Sequence, residues 1–528
     1  MRTRVSTVLV LLLVMPTLMG CFGEDAKPPA NAEPPLGFDE HIASGVWYHI
    51  GGSPSNQNAT DILDASAMTE RGLSMDIFNG SNAPFWTNGT YYGTGYDTFE
   101  PTLGVLSDGT IVFTNYNGLT TGTMIIRSQD QGQTWENVGP FGQVYPSAQV
   151  PNSNDPYIYV DPWTDRIVKF DMHALTAMWV EYSDDSGDSW SPPFTAYGYY
   201  TPQDHQSIAS TLDVNDMGSY DTIYVYCINT GNSALGPQCS RSLDGGITWD
   251  LQQPGSPLTT QCSGLHGHVV GSIDGWVYRG NPSCEGPAVY ASGDGGYSWS
   301  EHTITTEVGM QQGWHSHEVA TATDAAGNLY GMWIGDGMMP WVSWSTDHGD
   351  TWREPIMVAA PGLEETGFPT IHAGADGRVA FAYIGEFTDG GGWGGFMGAI
   401  TDANATYPLI TTTMVNEFGD MLDMTDDCGD VRCGGFGDFI DIEIDDEGRP
   451  WAALAHNVNS EEAIIGTWTT GPSLFGDNVT MLEVIPAGGN STLGLQIWPK
   501  NAVLPSQWQS VGWRFLWMIS CKVRAGSA

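Results

Sequence analysis

One eight-residue phrase returns five times in this chain and constrains its fold more than any other feature. It reads SQDQGQTW at Ser128–Trp135, SDDSGDSW at Ser183–Trp190, SLDGGITW at Ser242–Trp249, SGDGGYSW at Ser292–Trp299 and STDHGDTW at Ser345–Trp352. Its aspartates are Asp130, Asp185, Asp244, Asp294 and Asp347, with steps of 55, 59, 50 and 53 residues. Repeats of this length mean a propeller, solenoid or array of like units. Each residue type has a local task. The Ser hydroxyl and Asp carboxylate accept backbone N–H groups one or two residues on and close a turn. The Gly supplies the positive φ that such a turn needs. The Trp gives a large apolar plate over the end of a hairpin. The five aspartates are therefore read as structural, not catalytic.

A second repeat counts the units. A polar turn followed by an apolar strand occurs at Asp108, Asp165, Tyr220, Asp274, Gly327, Asp376 and Glu447, and each is preceded by another short strand. Seven units of this size, four strands each, predict an all-β chain forming one β-propeller over residues 98–485. The sixth and seventh units lack a full phrase, and Thr401-Asp402 reads as a degenerate remnant. Residues 45–97 form an N-terminal segment in which Val46–Ile50 (VWYHI) is the candidate closing strand.

The repeated phrase resembles the Asp-box, or bacterial neuraminidase repeat, of sialidase-type β-propellers. The resemblance covers roughly residues 98–470 and places each box between the third and fourth strands of a blade. It implies glycan recognition, with glycoside hydrolysis as the family's activity. Six blades are usual in that family and stand as the alternative count. The family clamps a sugar carboxylate with three arginines, the first opening the first inner strand. Here that stretch is Phe99-Glu100-Pro101, where a carboxylate replaces the arginine and would repel an anionic sugar. Arg279 remains as a substrate-binding candidate, and Arg432 and Arg71 are the other arginines considered.

The two ends of the chain read differently from its middle. Arg2 and Arg4 precede the apolar run Val5–Met19, the pattern of a secretory signal over residues 1–20. Leu18-Met19-Gly20-Cys21 resembles a prokaryotic lipobox, which implies cleavage before Cys21 and lipid on its thiol. Residues 21–44, rich in proline, then form an extended tether. Residues 486–528 form a tail, and its apolar stretch Trp508–Cys521 is too short to span a bilayer. The expected location is the outer side of the cell membrane, held there by lipid on Cys21.

With 61 acidic and 17 basic residues the formal charge is -44, which excludes nucleic acid as a partner. A glycan, a glycoconjugate or a surface protein is expected instead, bound by a monomer. Cysteines suit an oxidising exterior. Sequence leaves their pairing open, and sequential pairing, Cys227–Cys239, Cys262–Cys284 and Cys428–Cys433, is the expectation. Zinc is the rival reading, although no CxxC pair exists.

Topology locates the chemistry. In a four-stranded meander the start of strand one and the loop after strand two share a face, and the boxes lie on the other. Ligands enter propellers at such a mouth, where loops converge. The strand-one starts offer Glu100, Asp155, Asp204-His205, His266-x-His268, His315-x-His317-Glu318 and Asp438. The loops after strand two add His173, Arg279, Asp336, Glu386 and His456. Of 12 histidines, seven map here. Imidazoles and carboxylates in one place can ligate a divalent metal or move protons near neutral pH. His266, His268, His315 and His317 are the metal candidates. Asp155, Glu318, His205, His266 and His315 are the acid–base candidates, for a hydrolase or lyase or else for a non-catalytic binding scaffold. Glu100 and Asp438 join Arg279 as substrate contacts. The acidic insertion Asn416–Gly435 offers Asp423, Asp426 and Asp427 as calcium ligands.

Overall fold

The computed structural model describes residues 46–50, 88–116, 123–140, 157–173, 175, 177–197, 202–230, 236–256, 267–282, 286–311, 318–360, 363–387, 391–405, 408–416, 420–422, 437–456, 462–470, 473–475, 479–480 and 497–498. Seven antiparallel blades follow one another, each running from the axis outward. The first holds Leu103–Val105, Ile111–Tyr116, Thr123–Ser128 and Glu136–Gly139. The second holds Ile158–Val160, Ile167–His173, Ala177–Ser183 and Phe194–Tyr197. The third is Gln203–Leu212, Thr222–Thr230, Gln238–Ser242 and Gln253–Pro254. The fourth is Val269–Gly271, Val277–Pro282, Pro287–Ser292 and Ser300–Thr303. Val319–Thr323, Leu329–Gly335, Met339–Ser345 and Ile356–Met357 make the fifth. Leu363–Ala373, Val379–Phe387, Trp393–Ile400 and Leu409–Met414 make the sixth.

The seventh blade closes the ring with chain from the other end. Its inner strands are Asp441–Ile444, Pro450–His456 and Glu462–Thr470, and its outermost strand is Asn88–Asp97. The expected closing strand, Val46–Ile50, lies elsewhere: it pairs with Leu409–Met414 as a fifth strand on the outside of the sixth blade. This arrangement explains why the seventh blade has no box. A box needs a hairpin between strands three and four. The seventh blade takes its fourth strand from the N-terminal side and has no such hairpin. The sixth blade keeps the hairpin, and Thr401-Asp402 sits on it as expected.

The five boxes are nearly superposable in their bonding. The Ser hydroxyl donates to Asp Oδ1 and accepts the Gly N–H, all at 2.8–2.9 Å. Asp Oδ1 also accepts the N–H of the seventh residue, whose hydroxyl donates to Oδ2 at 2.5–2.7 Å. The residue before the Gly also adopts positive φ, whether Gln131, Ser186, Gly245, Gly295 or His348. At Asp130, Asp244 and Asp294 partial burial would raise the carboxyl, but these bonds outweigh it and hold it below its ordinary value. At Asp185 and Asp347 the bonds dominate from the start, with the same result.

Both faces of every blade are covered by neighbours, so the core divides by seam. Seven buried apolar clusters each join two adjacent blades. Between the fifth and sixth, for example, Tyr330, Met332 and Trp344 meet Phe381, Tyr383 and Phe396. Cys227 and Cys239 are bonded as expected, directly opposite one another across two strands of the third blade, where they face Val277 and Trp299 of the fourth. The strand carrying Cys227 runs from Thr222 to Thr230. The other two disulfide pairs, the lipobox cysteine and the acidic insertion from Asp423 to Asp430 lie outside the described residues.

Replacing Asp294 with Ala removes four bonds of one box and should lower unfolding stability by roughly 1–2 kcal/mol at pH 7. A depressed carboxyl stabilises above its unfolded pKa and loses that contribution as pH falls through the folded one. The difference between variant and parent should therefore shrink below about pH 4. Thermal unfolding at a series of pH values measures both effects.

Candidate functional site

The inner strands do not begin smoothly at the mouth. Glu100, His205 and Phe368 occupy equivalent entry positions in the first, third and sixth blades, and all three adopt left-handed backbone, with φ of 51, 54 and 50°. Bulges follow in the third and sixth blades, between Asp204 and Ser207 and between Gly367 and Thr370. Such residues cost of order 1 kcal/mol each and persist only when the surroundings fix them. All three side chains are buried.

His205 reaches toward the axis and meets the fifth blade. Its Nε2 lies 2.6 Å from Glu318 Oε1, and both side chains are nearly inaccessible. His268 of the fourth blade joins them, and one ligand atom from each of the three residues lies within 4.8 Å of the others. Glycines make this approach possible. A Cβ on Gly267 or Gly280 would fall 1.9 or 1.8 Å from the Val319 carbonyl oxygen, so the fourth blade can press against the inner strand of the fifth only without side chains there. Cross-bonds then fix the strands: Val269 N–H donates to Ser207 Oγ at 3.1 Å, and Thr321 Oγ1 donates to the His268 carbonyl at 3.3 Å.

The two imidazoles are held in different states. Burial alone would lower His205, but the charge and hydrogen bond of Glu318, aided by Asp438 and Asp204, raise it to about 9. Burial lowers His268 to about 4, with Glu318 opposing and His205 assisting. One imidazolium paired with a carboxylate thus stands beside one neutral imidazole. His268 Nε2 is buried and accepts or donates no bond.

Phe439 crosses from the seventh blade to wall this group from below. Its ring centroid lies 4.5 Å from that of His268 and 5.5 Å from that of His205. Tyr157 of the second blade completes the wall, 5.2 Å from His268. Asp438 is half-buried beside Phe439, and the buried Glu100 packs against Gly437. Asp155, His266, His315 and His317 lie outside the described residues, as do Asp423, Asp426, Asp427, Arg71 and Arg432.

Arg279 stands elsewhere than expected. It is fully buried in the fourth blade, donating to Asn281 Oδ1 at 2.9 Å and to the Gly255 carbonyl of the third at 2.6 Å. Its guanidinium lies 4.8 Å from the Tyr290 ring. The side chain points between sheets and is unavailable to a sugar carboxylate. His456 reaches the rim, where its Nε2 lies 3.4 Å from Asp420, which also accepts the Tyr91 hydroxyl.

Sequence reasoning missed a second group along the axis. Asp441 and Glu443 share one face of the seventh blade's inner strand, and Glu443 lies 3.2 Å from His372 Nε2 of the sixth. Asp441 accepts the N–H of Leu103 at 3.0 Å, latching the seventh blade to the first. Protein surrounds these groups although the axial space leaves Glu443 26% exposed. Burial raises both carboxyls, and the charge of Asp441 raises Glu443 further. Burial lowers His372 to about 4. The alternation Asp441-x-Glu443 was the available signal, since residues two apart on a strand share a face.

No family model matches the chain, and no curated protein matches it. Solved structures do. The BP39L lectin from Burkholderia pseudomallei is 10% identical, covering 78% of this chain and 100% of its own, at TM-score 0.45. The GH74 xyloglucanase from Xanthomonas campestris is 12% identical over 79% of this chain and 56% of its own, at 0.42. The intramolecular trans-sialidase from Ruminococcus gnavus is 12% identical over 71% and 94%, at 0.36. Likenesses this loose carry nothing about the site, and the fold rests on the strand order itself.

Glu443→Gln tests the axial acids. A carboxyl raised on folding costs stability wherever the unfolded chain would ionise, so the variant should be more stable than the parent at pH 8, by about 1–3 kcal/mol. The gain should disappear below about pH 4, where both states are protonated. Urea unfolding at the two pH values gives the comparison.

Proposed function

We propose that this protein is a lipid-anchored cell-surface propeller that recognises neutral glycans at its mouth. One observation carries the reading: His205, His268 and Glu318 converge from three consecutive blades at the mouth end of the axis. Carboxylates and imidazoles are suited to the hydroxyls of a sugar, to which they can both donate and accept. The described cations do not favour an anionic sugar. Every described arginine is engaged between blades, and Lys169 is buried against Asp171 and Glu181. A sialic acid would meet Asp204, Glu318 and Asp438 with only the His205 imidazolium, already paired with Glu318, to oppose them. The acid and imidazole pair also has the composition that hydrolysis or elimination of a glycosidic bond requires.

Binding of soluble protein to immobilised neutral and sialylated oligosaccharides separates the cases. Neutral glycans should bind, and Glu318→Gln should weaken binding about 10- to 100-fold, the range for losing a hydrogen bond to a charged group. Preference for sialylated glycans, or equal binding by Glu318→Gln, would overturn the reading. Release of new reducing ends from a bound glycan distinguishes cleavage from recognition alone. The anchor has its own measurement: incorporation of labelled fatty acid and partition into detergent should both vanish in Cys21→Ser.

A further inference from the structure

We propose that His205, His268 and Glu318 form a site for one divalent first-row transition-metal ion, with zinc the natural probe. The donor set is two imidazole nitrogens and one carboxylate oxygen, one from each of three consecutive blades. Such a set suits zinc, manganese, iron or nickel, and disfavours calcium and magnesium, which take oxygen ligands. Three ligands among the described residues leave at least one position open for water or a ligand hydroxyl. A bound ion there would acidify that water or orient that hydroxyl.

The geometry needs little change to accept an ion. Bonds of about 2.0–2.2 Å in a tetrahedral shell place neighbouring ligand atoms roughly 3.3–3.5 Å apart. The His205–Glu318 contact, at 2.6 Å, is closer than this, and the widest separation in the triad, within 4.8 Å, is looser. Small side-chain rotations, one outward and one inward, bridge the difference, and the proton held between His205 and Glu318 leaves to solvent as the ion binds. His205 Nε2 and Glu318 Oε1 stand in ion-pair contact, while His268 Nε2 is buried without a hydrogen bond. A coordinated ion would engage that nitrogen. The supporting strands are already cross-bonded through Ser207 and Thr321, and the rings of Phe439 and Tyr157 exclude water from below. Rigid backbone and a dry wall are what a preorganised metal site requires.

The proposal does not depend on glycan recognition, and its test contains no sugar. Tag-free protein, dialysed against chelator, is titrated calorimetrically with Zn2+ and with Mn2+, and metal in the untreated protein is measured by mass spectrometry. One ion per chain is expected. His268→Ala and Glu318→Gln should each weaken it by about 100-fold or more, while His302→Ala, far from the mouth, should not. Circular dichroism shows whether each variant is folded. Should His268→Ala fail to fold, Co2+ absorption in the parent and in Glu318→Gln reads the ligand set directly. A folded parent binding neither ion, or undiminished binding by Glu318→Gln, overturns the site. Repeating the glycan binding with chelator-treated protein keeps failure of the metal proposal apart from failure of the glycan one.

Discussion

The ring depends on guanidinium groups that reach, at six of its seven seams, from one blade to the next. Arg127 of the first blade donates to the Ser186 carbonyl in the second blade's box at 2.8 Å. Arg166 of the second reaches Gly245 in the third, and Arg241 of the third reaches Asp294 in the fourth, at 2.7 and 2.8 Å. Arg353 holds the Ala403 and Ala405 carbonyls of the sixth. Arg378 holds Ser473 and Phe475 beyond the seventh blade's third strand, and Arg449 of the seventh returns to Gln131 in the first blade's box. The seam between the fourth and fifth blades uses a different device. There the Tyr278 hydroxyl meets His348 Nδ1 at 2.7 Å, and Trp276 stacks on the same imidazole at 4.3 Å. A fixed planar fork suits this work better than a flexible ammonium, since one guanidinium can hold a carbonyl of the next blade and an acid of its own. Arg127 does so with Glu136, and Arg166 with Asp184.

The boxes therefore belong to the seams as much as to the hairpins. Three present a backbone carbonyl to the previous blade's arginine, the first presents the Gln131 side-chain oxygen, and the fifth offers His348 to Tyr278, while each turns a glycine to that blade's sheet. A Cβ on Gly187 would fall 2.9 Å from Val138, and one on Gly132 would lie 3.2 Å from Ile465. The turn fixed by Ser and Asp sets the angle at which the next blade docks. Local bonding thus becomes ring geometry, and a ring of seven such seams closes only when Asn88–Asp97 completes the last sheet.

The sequence displayed what is local. Box turns, the apolar second strands and the Cys227–Cys239 pairing each depend on residues within about a dozen positions of one another, and all were legible. Placement of His205, His268 and Glu318 near one another also followed, because strand starts share an end of a meander. What failed needed information from across the ring. Phe439 meets residues of the second, third and fourth blades from the seventh, a contact no local pattern encodes. The position of Arg279 near a strand end points to the mouth. Its side chain instead follows the face of its sheet into the seam with the third blade, where Gly255 and Tyr290 receive it. Val46–Ile50 and Asn88–Asp97 compete for the same description, an N-terminal strand with an edge to offer, and only the pairing partner separates them.

Consumption of the arginines at the seams shapes the opposite end of the molecule. With 17 basic residues against 61 acidic ones, a chain that commits its described guanidinium groups to blade contacts has few cations left for a ligand. Among the described residues the mouth is left with imidazoles and carboxylates, and the chain's net charge makes the field around it negative. Within it the His205 imidazolium is held against Glu318. Its proton occupies the place where a small cation would be most favoured, beside a neutral imidazole whose nitrogen is otherwise unsatisfied. The same economy of cations that locks the seams leaves the mouth electrostatically suited to cations and hydroxyls and opposed to anions.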